Sequence, residues 1–303
     1  MATKYAQGFW RLADPKISLA SAAAMVLGAS SAAAAGPITV GWLLVTILGT
    51  FAVEVAKNAS GEVFDWDSGT DLRIREEDRS PFSGGKRVLV DGLLTRAQTW
   101  GIAIGGYLLA AAAGLAIVGW RQGAVLWFGL AGMALAFFYH APPFRLSYRG
   151  LGELAVAISY GPLVSAGTYL VQRGAIPTNI VLLSLPLGLL VAAFLWINEF
   201  PDYSADALSG KRTLVVRLGR PRAAKGFVWL GVTAAVILAL LPAAGLPWTV
   251  WLGGLAALRY RPAARLLLTA PEDTARLVPT QAMTLQAFLL YAVGASVGVL
   301  LGR

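Results

Sequence analysis

Apolar residues in this chain run in blocks of about 17–25, the length a helix needs to span a bilayer. Each block ends at glycine, proline or clustered charge. Nine such blocks lie near residues 17–35, 40–57, 98–118, 124–141, 151–171, 178–197, 224–242, 248–268 and 282–301. The pattern predicts an all-α, polytopic membrane bundle of about nine transmembrane helices, one domain over residues 1–303. The eighth block is the weakest, because Arg259, Arg261 and Arg265 cut into it. It is expected to end early or to lie partly at the interface.

The polar positions sort by loop. With the N-terminus inside, loops 58–97, 142–150, 198–223 and 269–281 share the cytoplasmic side. The other side then holds only Arg121, Arg173 and Arg303 of the chain's 25 Lys and Arg. That asymmetry follows the positive-inside rule and predicts a cytoplasmic N-terminus and an outer C-terminus. An even number of spans would destroy it.

Composition agrees with this pattern. The chain is 57% hydrophobic and 14% charged, with a mean hydropathy of +0.64, whereas a soluble domain carries roughly a quarter charged residues. The net charge of +9 is read as positive-inside topology rather than as a surface for nucleic acid. No basic, aromatic-interleaved module stands apart from the spans, so nucleic acid is excluded as a partner. Zero cysteines exclude disulfides, thiolate chemistry and Cys-ligated metals. The Ala-rich stretch at 18–35 leads straight into a further apolar run, unlike a cleaved signal. With no organellar targeting segment in view, the expected location is a prokaryotic plasma membrane. The sequence sets no oligomeric state.

Two polar stretches break the apolar pattern with chemistry. Asn58-x3-Glu62-x2-Asp65-x3-Gly69-x-Asp71 follows the second block, and Asn198-x3-Asp202-x3-Asp206-x3-Gly210-Lys211-Arg212 follows the sixth. Residues four and seven or eight apart share a helical face. Asn58, Glu62 and Asp65 therefore project together, as do Asn198, Asp202 and Asp206. Such hard oxygen ligands suit Mg²⁺, which takes one or two carboxylates together with phosphate oxygens and water. Lys211 and Arg212 follow the second set, and Arg73, Arg79, Lys86 and Arg87 the first. These cations would hold the oxygens of a diphosphate. Metal, cations and an apolar interior describe the ionisation of an allylic diphosphate. A single acidic cluster at a span end is ordinary interfacial solvation; two alike on one side are not.

At these residues the chain resembles the UbiA superfamily of intramembrane prenyltransferases, over essentially its whole length. NASGEVFDWDSGTD, the Ser83–Leu89 segment SGGKRVL and YHAPPFRLSYRGLGE (Tyr139–Glu153) resemble the 1,4-dihydroxy-2-naphthoate branch. NEFPDYSADALSGKRTLVVRLG resembles the superfamily's second motif. The resemblance implies that Asn58, Glu62, Asp65, Asn198, Asp202 and Asp206 bind Mg²⁺, and that Lys211 and Arg212 bind diphosphate. Arg73, Lys86 and Arg145 are further candidates for the diphosphate. Asp71 would orient the site or activate the acceptor, and Tyr139 would stand near the diphosphate or the developing cation. Asp65, Asp71, Tyr139 and Asp206 are the candidates for the reaction itself. The chain departs from the 4-hydroxybenzoate enzymes, which often carry Lys four residues after that tyrosine, where this chain has Pro143. Glu62 replaces the superfamily's commoner Asp.

The implied reaction is Mg²⁺-dependent transfer of a prenyl group from an allylic diphosphate to an aromatic acceptor in lipid quinone synthesis. Two alternatives stay open at this point. One is a cyclase of the same superfamily that acts on the prenyl diphosphate alone. The other is a transporter using Glu54, Glu62 and Asp65 as an ion path. The sole histidine, His140, reads first as a packing residue at a helix end.

Overall fold

The computed structural model describes residues 2–302. Among them the ordered elements are all helical: α1 (Ala2–Ala13), α2 (Pro15–Ala35), α3 (Val40–Asp67), α4 (Arg96–Trp120), α5 (Val125–Phe138), α6 (Gly152–Ile158), α7 (Val164–Arg173), α8 (Thr178–Leu208), α9 (Leu214–Leu218), α10 (Arg220–Leu240), α11 (Ala257–Thr269) and α12 (Thr274–Leu301). Short 3₁₀ turns join several of them. Seven helical segments are long and apolar enough to cross a membrane: α2, α3, α4, the joined α6–α7 segment, α8, α10 with its 3₁₀ extension, and α12. The chain is an integral membrane protein.

Each of the nine predicted blocks falls on helix, but two do not reach the length of a span. At 14 residues, α5 rises about 21 Å, short of a hydrocarbon core of about 30 Å. The eighth block divides at Ala257 into a 3₁₀ segment, Trp248–Ala256, and α11. Arg259, Arg261 and Arg265 all lie on α11 and are exposed. Arg303 lies outside the described residues. The sequence pattern also passes over α1, a short amphipathic helix that buries Gly8 and Leu12 and exposes Tyr5 and Trp10.

The core is built around α8, the most buried of the spanning helices. Ile180, Leu183, Leu187, Phe194, Ile197 and Phe200 pack against α2, α10 and α12. Buried aromatic residues satisfy their polar ends across helices: Tyr291 donates to the Leu183 carbonyl at 2.6 Å and Trp196 to that of Ala223 at 3.0 Å. In an apolar medium an unpaired group of that kind costs several kcal/mol.

One spanning segment is broken in its middle. Between α6 and α7, residues Ser159–Leu163 form a π-helical bulge, where Pro162 lacks an N–H and Gly161 leaves helical geometry (φ −86°, ψ −108°). The bulge also sits against a close backbone crossing. A Cβ on Gly161 would stand 3.0 Å from the Gly188 Cα of α8. Glycine on both sides lets the two backbones approach, and the bulge re-aims Tyr160.

The loops gather at two opposite ends. At one end Arg121 donates to the carbonyls of Val171 and Gln172, and Arg173 to those of Ala32 and Pro37. At the other the 68–95 loop folds down over the helix ends. Lys86 pairs with Asp14, Lys16 donates to the Pro81 carbonyl, Gln281 to Ser83 (3.3 Å), and Phe82 packs on Phe194. Both acidic motifs lie at this second end.

Candidate active site

The two motifs converge on one lysine. Asn58, Glu62 and Asp65 occupy the last turns of α3, and Asn198, Asp202 and Asp206 the last turns of α8. Gly210, at φ +74°, turns the chain just past α8 and brings Lys211 back over the acids. Its Nζ stands 3.5 Å from Asp206 Oδ1 and 3.9 Å from Asp65 Oδ2. Burial pulls the Lys211 ammonium down, but Asp206 and Asp65 more than reverse that and hold it well above its ordinary range. The lysine is therefore charged.

Asp65 is the best-connected acid. Its Oδ1 accepts from the Tyr148 hydroxyl at 2.8 Å, and its Oδ2 lies 3.6 Å from His140 Nε2. Tyr148 in turn carries the Arg145 guanidinium on its ring face, 3.9 Å from the centroid. Arg145 holds a left-handed backbone (φ 44°), and its Nε is buried without a partner. A tyrosine clamped between Arg145 and Asp65 thus ties the 139–151 loop to α3. Nothing in the YHAPPFRLSYRGLGE segment distinguishes Tyr148 for that role, and sequence reasoning misses it.

The remaining acids are only partly satisfied. Glu62 Oε1 accepts from the Leu89 N–H at 2.8 Å, while its Oε2 is buried and unpartnered. Asn198 Oδ1 and Asp202 Oδ1 are also buried without partners. Asn58 spends its amide N–H on the Leu12 carbonyl, at 2.8 Å. Burial pushes the Asp71 carboxyl well above its usual range, and Asp65, Glu62 and Asp202 push the same way against Lys211.

The candidate cations separate into two groups. Lys211 and Arg145 lie inside the cluster. Lys86 pairs with Asp14, and the Arg73 and Arg212 side chains are exposed. Tyr139 is buried beside the site, with the Lys57 ammonium 4.8 Å above its ring. Lys57 is silent in the sequence, because a cation beside a motif at the end of an apolar run looks like an ordinary span boundary. Glu153 and Glu199 are silent too. Both are buried with Oε2 unpartnered, and Glu153 Oε1 accepts from the Leu214 N–H at 2.6 Å.

Unpartnered, buried carboxylate and amide oxygens form a hard-oxygen donor set, which fits a divalent cation such as Mg²⁺. Among the described residues no group of three or more acidic or histidine side chains is arranged as a complete metal cage. An ion here would therefore draw further oxygens from a ligand or from water.

A cavity of about 470 Å³ opens beside the cluster, walled by α3, α4, α5 and the α6–α7 segment. Lys57 and Tyr139 line it together with Val45, Ile117, Leu163 and Val171. Its wall is almost wholly apolar.

The 68–95 loop depends on glycine where it closes over Asp71. Gly85 sits at φ +73°, and a Cβ there would meet Asp71 Oδ1 at 2.6 Å. Gly92 also has a positive φ (+61°) but faces open space. Gly92→Ala is expected to cost about 1 kcal/mol from backbone strain alone. Gly85→Ala should cost at least twice that and also reduce turnover. Equal melting temperatures and rates for the two variants would show that the Gly85–Asp71 approach does not matter.

Residues 22–291 match the UbiA prenyltransferase family. The chain belongs to that family. It is similar to the 2-carboxy-1,4-naphthoquinone phytyltransferase of Synechocystis sp., with 30% identity over 68% of each chain. It is also similar to the 1,4-dihydroxy-2-naphthoate octaprenyltransferase of Haemophilus influenzae, with 28% identity over 97% of this chain and 96% of that one. The apo structure of a UbiA homolog from Aeropyrum pernix K1 shares the fold, with a TM-score of 0.66 at 18% identity, covering 93% of this chain and 98% of that one. A UbiA homolog from Archaeoglobus fulgidus bound to GPP and Mg²⁺ gives a TM-score of 0.59 at 15% identity, covering 95% of this chain and 99% of that one. Family and relatives make this UbiA member a prenyltransferase of the naphthoate branch.

Proposed function

We propose that this prenyltransferase moves the prenyl group of an allylic diphosphate onto 1,4-dihydroxy-2-naphthoate or a closely related ring, giving a lipid quinone precursor. The observation that carries the reading is the meeting of both acidic motifs at Lys211, beside a long apolar cavity. The names of the naphthoate relatives support the acceptor class. The concentration of Lys and Arg in the loops at the motif end supports a site facing the cytoplasm.

Asn58, Glu62, Asp65, Asn198, Asp202 and Asp206 would hold Mg²⁺. The metal would supply charge neutralisation for the diphosphate as it leaves. Lys211 and Arg145 add fixed positive charge to the same group, and Arg73, Lys86 and Arg212 are further cations available to it. The C1–O bond of the prenyl diphosphate breaks with its electron pair on oxygen, leaving an allylic cation. The ring carbon bearing the carboxylate attacks that cation. The carbon–carboxylate bond then breaks, its pair returns to the ring, and CO₂ departs. Cation plus carboxylate becomes a neutral product, so no net proton transfer is needed. Tyr139 would present its ring to the cation, and the apolar cavity would hold the tail away from water. Asp71 would help to orient the site.

Product mass spectrometry on the purified protein tests this. With Mg²⁺, allylic diphosphates and 1,4-dihydroxy-2-naphthoate, a prenylated and decarboxylated ring is expected. Diphosphate release with a cyclised hydrocarbon or alcohol, independent of the acceptor, would replace this reading with the cyclase.

A further inference from the structure

Glu54 lies four residues before Asn58 and so on the same face of α3, about 6 Å deeper by helical rise. It lines the 470 Å³ cavity, whose wall is mostly apolar, with Lys57 less than one turn along the same helix. The side chain is buried, and its Oε1 accepts from the Tyr160 hydroxyl at 3.2 Å. Tyr160 belongs to the π bulge, so the break in the α6–α7 segment and the glutamate meet at one place in the cavity wall. The other oxygen, Oε2, is buried without a partner. Ser18 and Ser21 of α2 lie within reach of the carboxyl and can turn a hydroxyl to it, but in this structure those hydroxyls donate to the carbonyls of Ala13 (3.4 Å) and Ser18 (3.0 Å).

A carboxyl oxygen left unpaired in such a wall is costly, and the prenyl tail carries no hydrogen-bond donor to relieve it. A hydroxyarene does. We propose that Glu54, held by Tyr160, receives a ring hydroxyl of the aromatic acceptor and selects acceptors that carry one. This rests on the transferase reading and adds to it the acceptor's place: one helical turn below the acidic motif, between the diphosphate site and the tail. In a 1,4-dihydroxy-2-naphthoate the hydroxyl next to the carboxylate bonds to it internally. The hydroxyl at position 4 is the one free to donate.

The test is a binding titration in detergent, without Mg²⁺ or diphosphate, comparing 4-hydroxy-2-naphthoate with 2-naphthoate. The wild-type protein is expected to prefer the hydroxylated ring by about tenfold. Glu54→Leu should abolish that preference by weakening only the hydroxylated ligand. Glu54→Gln keeps the shape and a carbonyl acceptor, and should retain part of it. No preference in the wild type, or a preference that survives Glu54→Leu, overturns the proposal. If Glu54→Leu does not fold, Glu54→Gln decides: a reduced preference supports the assignment and an unchanged one removes it. Because no turnover is involved, a wild type that prenylates the naphthoate yet shows no hydroxyl preference would sink this assignment and leave the transferase reading standing.

Discussion

Asp202→Ala is expected to lower turnover about a thousandfold while leaving the protein at least as resistant to heat. The rate effect follows from what Asp202 offers. Its Oδ1 is buried without a partner, and it projects from α8 into a cluster whose other members are Asp65, Asp71 and Asp206. Removing one preorganised electrostatic contact from a site that stabilises developing charge typically costs a hundred- to a thousandfold. A lost metal ligand also weakens the neighbours that share the ion. Stability should move the other way. Asp202 is one of the acids that push the Asp71 carboxyl upward, which is the mark of carboxylates crowded against one another. Alanine removes a crowded, partly unpartnered carboxyl from that group, and the metal-free variant should be at least as stable as the wild type.

The check is a pair of melting curves beside the rate measurement. For the wild type, adding Mg²⁺ with a prenyl diphosphate should raise the melting temperature, because the ligands bind the folded state. For Asp202→Ala that increment should vanish. Retained turnover, or a ligand-induced shift equal to the wild type's, would remove Asp202 from the metal set.

Much of this arrangement is legible in the amino-acid sequence. Residues spaced by four and seven or eight on a helix must share a face, so Asn58–Glu62–Asp65 and Asn198–Asp202–Asp206 assemble from spacing alone. The sorting of loop charge puts both motifs at one end, where the structure has them. What escapes depends on contacts between segments distant in the chain. Tyr148 is an ordinary loop tyrosine until its hydroxyl is seen 2.8 Å from Asp65. Glu62 is committed on one side to the Leu89 N–H, and no spacing rule reports that. Lys86, grouped by sequence with the diphosphate cations, also pairs with Asp14 at the α1–α2 junction, a contact that no spacing rule reports. Periodicity is also blind to one extra residue in a turn, so the bulge around Pro162 that places Tyr160 leaves no mark on the apolar pattern.

Lys211 carries the other large expected effect, and here rate and stability should fall together. Its ammonium is the charge between Asp65 and Asp206, in a site with little access to solvent. Taking one partner from a buried ion cluster leaves the rest uncompensated, at a cost of about 3 kcal/mol. Lys211→Ala should therefore melt several degrees lower and turn over about a thousandfold more slowly. Lys211→Arg should recover most of the stability but less of the rate, because a broad planar group replaces a compact one. The pH dependence has a definite sign. Asp71 titrates well above an ordinary carboxyl in the folded protein, so the folded state holds a proton that the unfolded state has released. The stabilisation from that proton is complete below the unfolded carboxyl range and is lost as pH rises through the folded value. Since Lys211 opposes the rise at Asp71, its removal should carry the fall in melting temperature to higher pH. A Lys211→Ala protein whose melting temperature is unchanged, and falls over the same pH range as the wild type's, would show that the acids do not depend on this lysine.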